Sequence, residues 1–263
     1  MEKMMNKTVL ITGAGSGFGW ETALELARKG YDVIATTQTH EQKLALEEEA
    51  KKEHLQLMVE KLDITDANDR LCAESWDVDV LINNAGVAES GPLAEIPMEY
   101  LRDNFEVNVF GTLALTQSIV KGMMQKGSGQ IIIVSSVAGR MTAPYLGPYC
   151  MTKHALEAAA DVLHAELEPH NIQVSIVEPG TYATGFNERM NQSKYKWYGK
   201  NSMFASDDKA IKALEEWLVS EQSNPSEVVE TLLTLIESKE PQFRVCIPAV
   251  WEERVRGVLC GQE

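Results

Sequence analysis

Short runs of β-branched and aliphatic residues alternate along this chain with longer stretches whose apolar positions recur every three or four residues. The runs predict strands near 7–12, 31–37, 56–62, 79–82, 130–135, 173–178 and 243–247. The longer stretches predict helices near 18–29, 41–53, 98–124, 150–168, 207–220 and 225–238. Gly30 and Pro169 stand where the first and fifth of these helices stop. Strand, helix, strand is the repeating unit of a parallel sheet with right-handed crossovers. The pattern therefore predicts an α/β fold, a doubly wound parallel sheet of about seven strands in a single domain. Only residues 181–240 form a long region without a strand, and a substrate lid near 185–220 would sit there.

Composition narrows the setting. With 263 residues, 44% of them hydrophobic, the chain is long enough for one large core. No run of about 18 apolar residues predicts a transmembrane helix. Met1 to Lys7 lead straight into Val9-Leu10-Ile11, which leaves no room for a signal peptide and predicts a cytoplasmic protein. Cys72, Cys150, Cys246 and Cys260 show no CxxC spacing, so neither a metal site nor a disulfide framework is indicated, and the internal ones should pack as small hydrophobes. The net charge of −15 disfavours nucleic acid and anionic membrane surfaces and points to a neutral or modestly polar small molecule. The acidic run Glu47-Glu48-Glu49 reads as a solvated helix face.

The first strand is followed directly by Thr12-Gly13-Ala14-Gly15-Ser16-Gly17-Phe18-Gly19. Side chains there would block a pyrophosphate, and the free backbone N–H groups of Ser16, Gly17, Phe18 and Gly19 at a helix start can receive one. Glycines at 13, 17 and 19 thus predict a Rossmann-type dinucleotide site. An acidic residue at the end of the second strand would bind the ribose hydroxyls of NAD. The chain has Thr37-Gln38-Thr39-His40 there, without Asp, Glu or Arg, so NAD(P) is expected with NADP favoured over NAD. Thr37 and Gln38 would make neutral hydrogen bonds to it, or are ordinary strand-end polar residues. Asp63, followed by Ile64, lies past the third strand, where it either accepts from the adenine amine or simply forms a turn.

Tyr149 and Lys153 stand four residues apart on one helix face. An ammonium beside a phenol favours the phenolate, which makes such a pair a proton donor and acceptor near neutral pH. Ser135 and Ser136 end the fifth strand at the ligand-binding edge of the sheet, and strand alternation turns them opposite ways. Either hydroxyl is placed to bond a substrate oxygen as charge develops on it.

Six ordered motifs carry a family likeness: Thr12-Gly13-x-x-x-Gly17-x-Gly19, Asn83-Asn84-Ala85-Gly86, Asn108-Val109-x-Gly111, Ser135-Ser136-x-Ala138-Gly139, Tyr149-x-x-x-Lys153 and Pro179-Gly180. Over nearly its whole length the chain resembles the short-chain dehydrogenase/reductase family. The resemblance implies that Tyr149 is the acid/base of a hydride transfer between a nicotinamide cofactor and a carbonyl. It implies that Lys153 lowers the phenol pKa and holds the ribose, and that Asn108 kinks its helix and holds a proton-relaying water. The interval of thirteen positions between Ser136 and Tyr149 is the family's, and selects Ser136 over Ser135. Asn83, Asn84, Ala85 and Gly86 would line the cofactor cleft, and Pro179, Gly180 and Thr184 would pass beside the nicotinamide.

Only about 20 residues separate Asp63 from Asn83, so the third helix should be short or irregular. Phe186, Met190, Tyr195, Trp197, Tyr198, Met203 and Phe204 either form an aromatic cover over an apolar substrate or pack beneath a long loop. Pro144, Tyr145 and Leu146 are expected to line the pocket. The long helices 98–124 and 150–168 carry more apolar surface than one sheet face needs, and a homodimer or homotetramer is expected. The expected function is interconversion of a secondary alcohol and a ketone or aldehyde; the alternative is a retired dinucleotide-binding sensor or scaffold.

Overall fold

A computed structural model describes residues 7–259; Cys260 lies outside them. Seven parallel strands run in the order β3-β2-β1-β4-β5-β6-β7. They are β1 (Thr8–Ile11), β2 (Asp32–Thr37), β3 (Met58–Lys61), β4 (Val80–Asn83), β5 (Gly129–Val134), β6 (Ile172–Pro179) and β7 (Arg244–Ile247).

Alternation along the strands divides the core into two layers. Val9 and Ile11 of β1, with Ile132 and Val134 of β5, face helices α1 (Gly17–Arg28), α2 (His40–Lys52) and α9 (Ser226–Glu237). Leu10, Ile131 and Ile133 face the opposite layer, made by α3 (Ala67–Ala73), α5 (Thr112–Lys126) and α6 (Gly147–Leu167). Because both faces are covered, these strands carry unbroken apolar runs, Val9 to Ile11 in β1 and Ile131 to Val134 in β5.

The stop signals act as expected. Past the end of α1, Gly30 takes φ +83°, and the N–H groups of Gly30 and Tyr31 bond back to Ala27 O (3.0 Å) and Leu26 O (3.1 Å). Helix α3 spans seven residues, short as the spacing predicts.

The segment 98–124 differs from one continuous helix. Helix α4 (Met98–Phe105) passes into a π-helical turn, Glu106–Gly111, before α5 begins. The insertion places Asn108 on its kink, where the Asn108 amide donates to Val87 O (2.8 Å) and Thr152 Oγ1 (3.0 Å) and its Oδ1 accepts from Val87 N (2.8 Å). Helices α7 (Phe186–Ser193), α8 (Asp208–Ser220) and α10 (Val250–Leu259) complete the chain, and α7 and α10 fall outside the predicted helices. No described helix is long and apolar enough to cross a membrane. Cys150 is buried, but Cys72 is exposed on α3, a correction to the expectation that internal cysteines pack inside.

Candidate active site

Strand order reverses between β1 and β4, and the crevice outside the carboxyl ends of those strands is where open α/β sheets take ligands. A cleft of about 470 Å³ opens there, bounded by the glycine loop at one end and apolar side chains at the other.

At the glycine loop the side chains are missing for identifiable reasons. Gly17 takes φ +56°, and a β-carbon on it would press on Thr184 Cβ at 3.1 Å. A β-carbon on Gly13 would lie 2.8 Å from Ala85 Cα, while one on Gly19 would strike Gly13 O and Asn84. Helix α1 starts at Gly17 without a side-chain cap and without an acid in its first turn, so its first N–H groups face the cleft with nothing of the chain's own to neutralise them. Gly13, Gly15, Ser16, Gly17 and Phe18 line the cleft; Gly19 lies behind it, permitting the close approach of helix and loop. These features fit a bound dinucleotide pyrophosphate.

The strand-end polar residues divide. Gln38 lines the cleft and donates to Asp63 Oδ2 at 3.3 Å. Thr37 does not: it is fully buried, its hydroxyl bonded to Thr39 O at 3.1 Å, because the alternation of β2 turns it into the core. Gln42 takes its place, held by a reciprocal cap in which Gln42 N bonds Thr39 Oγ1 and Gln42 Oε1 accepts from Thr39 N. The T-x-x-Q spacing was the available signal for this residue. Asp63 is both a turn former, accepting from Thr65 N (2.9 Å), and a cleft residue with Ile64. Burial raises its carboxyl, but bonds from Thr65 and Gln38 outweigh that and hold it below the usual value.

Asn84, Ala85 and Gly86 line the cleft, whereas Asn83 points into the core and donates to Thr116 Oγ1 at 2.9 Å. Asn108 stands behind Gly86 rather than on the cleft wall.

Ser136, Tyr149 and Lys153 come together on the wall opposite the glycine loop, with Pro179, Gly180 and Thr184 alongside. Ser136 Oγ accepts from Ala138 N (3.1 Å) and donates to Pro179 O (3.3 Å), which fixes its hydroxyl at the strand end. Burial pushes the Tyr149 phenol well above its ordinary value, and the Ser136 hydroxyl beside it pulls the other way. Lys153 is 6% exposed; its Nζ donates to Val134 O at 2.9 Å and lies 5.6 Å from the centre of the Tyr149 ring. Burial pushes Lys153 down to about 8, against the opposing pull of Glu157. Desolvation dominates the phenol in this arrangement and keeps Tyr149 protonated.

The far end of the cleft is lined by Leu146, Phe186, Met190, Trp217, Leu218 and Trp251. Trp217 and Trp251 meet edge to face, with ring centres 6.0 Å apart. The aromatic cover is thus split. Phe186 and Met190 face the cleft, Trp197 and Tyr198 pack against each other beneath the loop, and Met203 is exposed. Pro144 and Tyr145 line a separate surface groove instead.

Together, fold and site define an α/β protein with a dinucleotide crevice and a Ser, Tyr and Lys trio on its wall. The family model described as short chain dehydrogenase matches residues 7–195, and the chain belongs to that oxidoreductase family. It is 32% identical over 249 residues to human retinol dehydrogenase 8, covering 90% of this chain and 80% of the relative. It is 34% identical over 219 residues to an NADPH-dependent 3-dehydrocapnine reductase of Ornithobacterium rhinotracheale, covering 79% of this chain and 77% of the relative. Among solved structures, a short-chain dehydrogenase from Streptomyces avermitilis superposes with TM-score 0.84 at 26% identity, covering 99% of this chain and 94% of that one.

Proposed function

We propose that this protein reduces a ketone on a long apolar molecule to a secondary alcohol, with NADPH as the cofactor and Tyr149 as the proton donor. The observation that carries the reading is the placement of Ser136, Tyr149 and Lys153 between the glycine loop and an apolar end built from Leu146, Phe186, Met190, Trp217 and Trp251.

The nicotinamide cofactor, when bound, supplies the hydride. The residues of the chain handle the oxygen and the proton. Ser136 donates to the substrate oxygen and orients it toward the phenol. Burial keeps the Tyr149 phenol protonated, which is the form a ketone reduction consumes. Once Tyr149 has given up its proton, the Lys153 ammonium beside the ring stabilises the tyrosinate and can return a proton to it. Gly13, Ser16, Gly17 and Phe18 cradle the pyrophosphate, with Gly19 behind them allowing the close approach of helix and loop; Asn84, Ala85, Gly86, Pro179, Gly180 and Thr184 flank the dinucleotide.

Gln38, Gln42, Asp63 and Ile64 hold the adenosine end. The absence of an acid at the end of β2 removes repulsion toward a 2′-phosphate, and the NADPH named in the relative from Ornithobacterium favours the same cofactor. The retinol in the name of the human relative is an apolar alcohol, in keeping with the apolar lining of this end. Helices α7 and α8 serve as the cover that excludes water. Phe110, Met151 and Val162, 56%, 41% and 54% exposed, support pairing with further copies as a homodimer or homotetramer.

The test is a panel of ketones and alcohols graded by chain length, followed at the nicotinamide absorbance with NADH and NADPH in parallel. Turnover rising with apolar chain length and faster with NADPH is expected; preference for short polar sugars would overturn the substrate class.

A further inference from the structure

Behind Lys153 lies a group of charges that the proposed reaction leaves unused. Glu157 follows Lys153 by one turn on α6 and is 7% exposed. Its Oε2 accepts from Arg244 Nη1 of β7, while its Oε1 and the Ser135 hydroxyl face each other without a hydrogen bond of ordinary geometry. Gly139 makes room for both, since a β-carbon there would lie 2.8 Å from Glu157 Oε1 and 2.9 Å from Ser135 Oγ.

The other elements packed here add their own charges. Glu178 of β6, wholly buried, shares Arg244 Nη1 with Glu157. Arg140 bonds Glu178 Oε2 at 3.0 Å and Glu252 Oε2 of α10 at 2.7 Å. Asp161, the next turn of α6, accepts from Arg244 Nη2 at 2.9 Å, and the Cys246 thiol lies beside Glu178 on β7. Glu157, Glu178 and Asp161 thus share the Arg244 guanidinium, and of the two buried carboxylates only Glu178 has a second guanidinium, Arg140, so Glu157 receives only part of its compensation there. The nearest remaining cation along its own helix is Lys153.

We propose that the Glu157 carboxylate, anchored by Arg244, is a positioning residue that keeps Lys153 charged beside Tyr149. The proposal rests on the reading of Tyr149 and Lys153 as the proton-handling pair. An anion one helical turn away in a water-poor interior opposes the desolvation of the ammonium. Burial raises Glu157 itself to about 7, with the Ser135 hydroxyl and Arg244 opposing and Glu178 adding, so its charge is partly present at neutral pH, grows toward the alkaline range where Lys153 titrates, and is lost on mild acidification.

The test uses the cofactor-free protein with ¹³Cε-labelled lysine, the Lys153 resonance being identified by its loss in Lys153→Met. Glu157→Gln, nearly isosteric, is expected to lower the Lys153 titration midpoint by about 0.5–1 pH unit. The alkaline limb of kcat against pH should move down by a similar amount. Glu157→Asp retracts the charge by one methylene and should move the midpoint in the same direction but less. A folded Glu157→Gln or Glu157→Asp protein whose Lys153 midpoint stays at the wild-type value would overturn the proposal, even if its thermal stability falls. Failure of the catalytic reading itself shows separately, as undiminished turnover in Tyr149→Phe.

Discussion

Two lysines are buried among the described residues, one in the wall of the cleft and one between α7 and α8, and their surroundings differ in kind. Lys153 on α6 bonds a single carbonyl oxygen, Val134 O, and among the described residues no carboxylate lies within salt-bridge distance of it. Lys194, 1% exposed between α7 and α8, is paired with Glu215, donates to Asn191 O (2.8 Å) and Ser90 Oγ (3.3 Å), and lies 4.9 Å from the Tyr195 ring centre. A buried ammonium with every hydrogen bond filled is a staple. One left with a carbonyl and an aromatic ring is held in a state from which its proton leaves easily. The segment of α7 and α8 is therefore held together by an ion pair and tied to the loop around Ser90 by hydrogen bonds, and the cleft wall carries the labile charge.

The sharpest break in this comparison comes from Tyr149, the neighbour that Lys153 serves. Tyr149→Phe should reduce kcat by about 10²–10⁴-fold with cofactor affinity nearly intact, measured by steady-state rates and by quenching of protein fluorescence on titration with NADPH. An equal loss of binding would mean that the phenol is structural.

Next in size is the staple. Lys194→Met leaves Glu215 without its cation and should cost about 3 kcal/mol of stability, read from urea unfolding. Because Glu215 retains some access to water, the loss should sit toward the lower end of that expected for a buried pair. KM for a long apolar substrate should rise while NADPH affinity stays the same. A variant as stable as the wild type would remove the distinction between the two lysines.

Lys153→Met should behave oppositely. With the folded pKa pushed from 10.5 down to about 8, keeping Lys153 charged at neutral pH costs the fold about 3 kcal/mol, from the size of that shift. The sign follows from which state binds the proton better: the unfolded chain does, so stability rises with pH between the two values. Removing the ammonium recovers part of the cost below pH 8, and the gain fades as pH climbs toward 10.5. Unfolding free energies at pH 7 and pH 10 measure it; destabilisation at pH 7 that does not shrink with pH would contradict the picture.

How far these features can be seen in the sequence depends on the range over which each is determined. The seven strands, the glycine loop and the Tyr149 to Lys153 spacing are set by residues within a few positions of one another, and pattern alone locates them. Thr37 and Asn83 show the limit of that. Each belongs to a motif near the cleft, but strand alternation turns its side chain inward, and only register against the neighbouring strands decides this. The π-helical turn at Glu106–Gly111 is likewise invisible to the apolar pattern, since one extra residue barely disturbs its period over a long helix; only the Asn108-Val109-x-Gly111 motif, through the family resemblance, implies a kink there. Trp217 and Trp251 come from α8 and α10, far apart in sequence, and meet only because both helices pack over the same end of the sheet. Nothing local to either tryptophan indicates the cleft.

The smallest expected effect concerns the polar end of the cleft, which contrasts with the lysine wall in having no charge of its own facing the ribose except Asp63. Lys43 and Lys61 are nearby, but Glu60 and Asp69 hold them at 2.9 Å and 2.6 Å, so neither is free to meet a 2′-phosphate. In the proposed reading NADPH is favoured only by the lack of an acid at the end of β2, and one carboxylate there should undo it. Gln38→Asp also sets a second acid beside Asp63, whose oxygen Gln38 now donates to at 3.3 Å. The preference of kcat/KM for NADPH over NADH should fall by about tenfold, equivalent to about 1.4 kcal/mol, mainly through loss of NADPH binding. Unchanged NADPH affinity in this variant would place the 2′-phosphate away from Gln38 and assign its recognition to Gln42 instead.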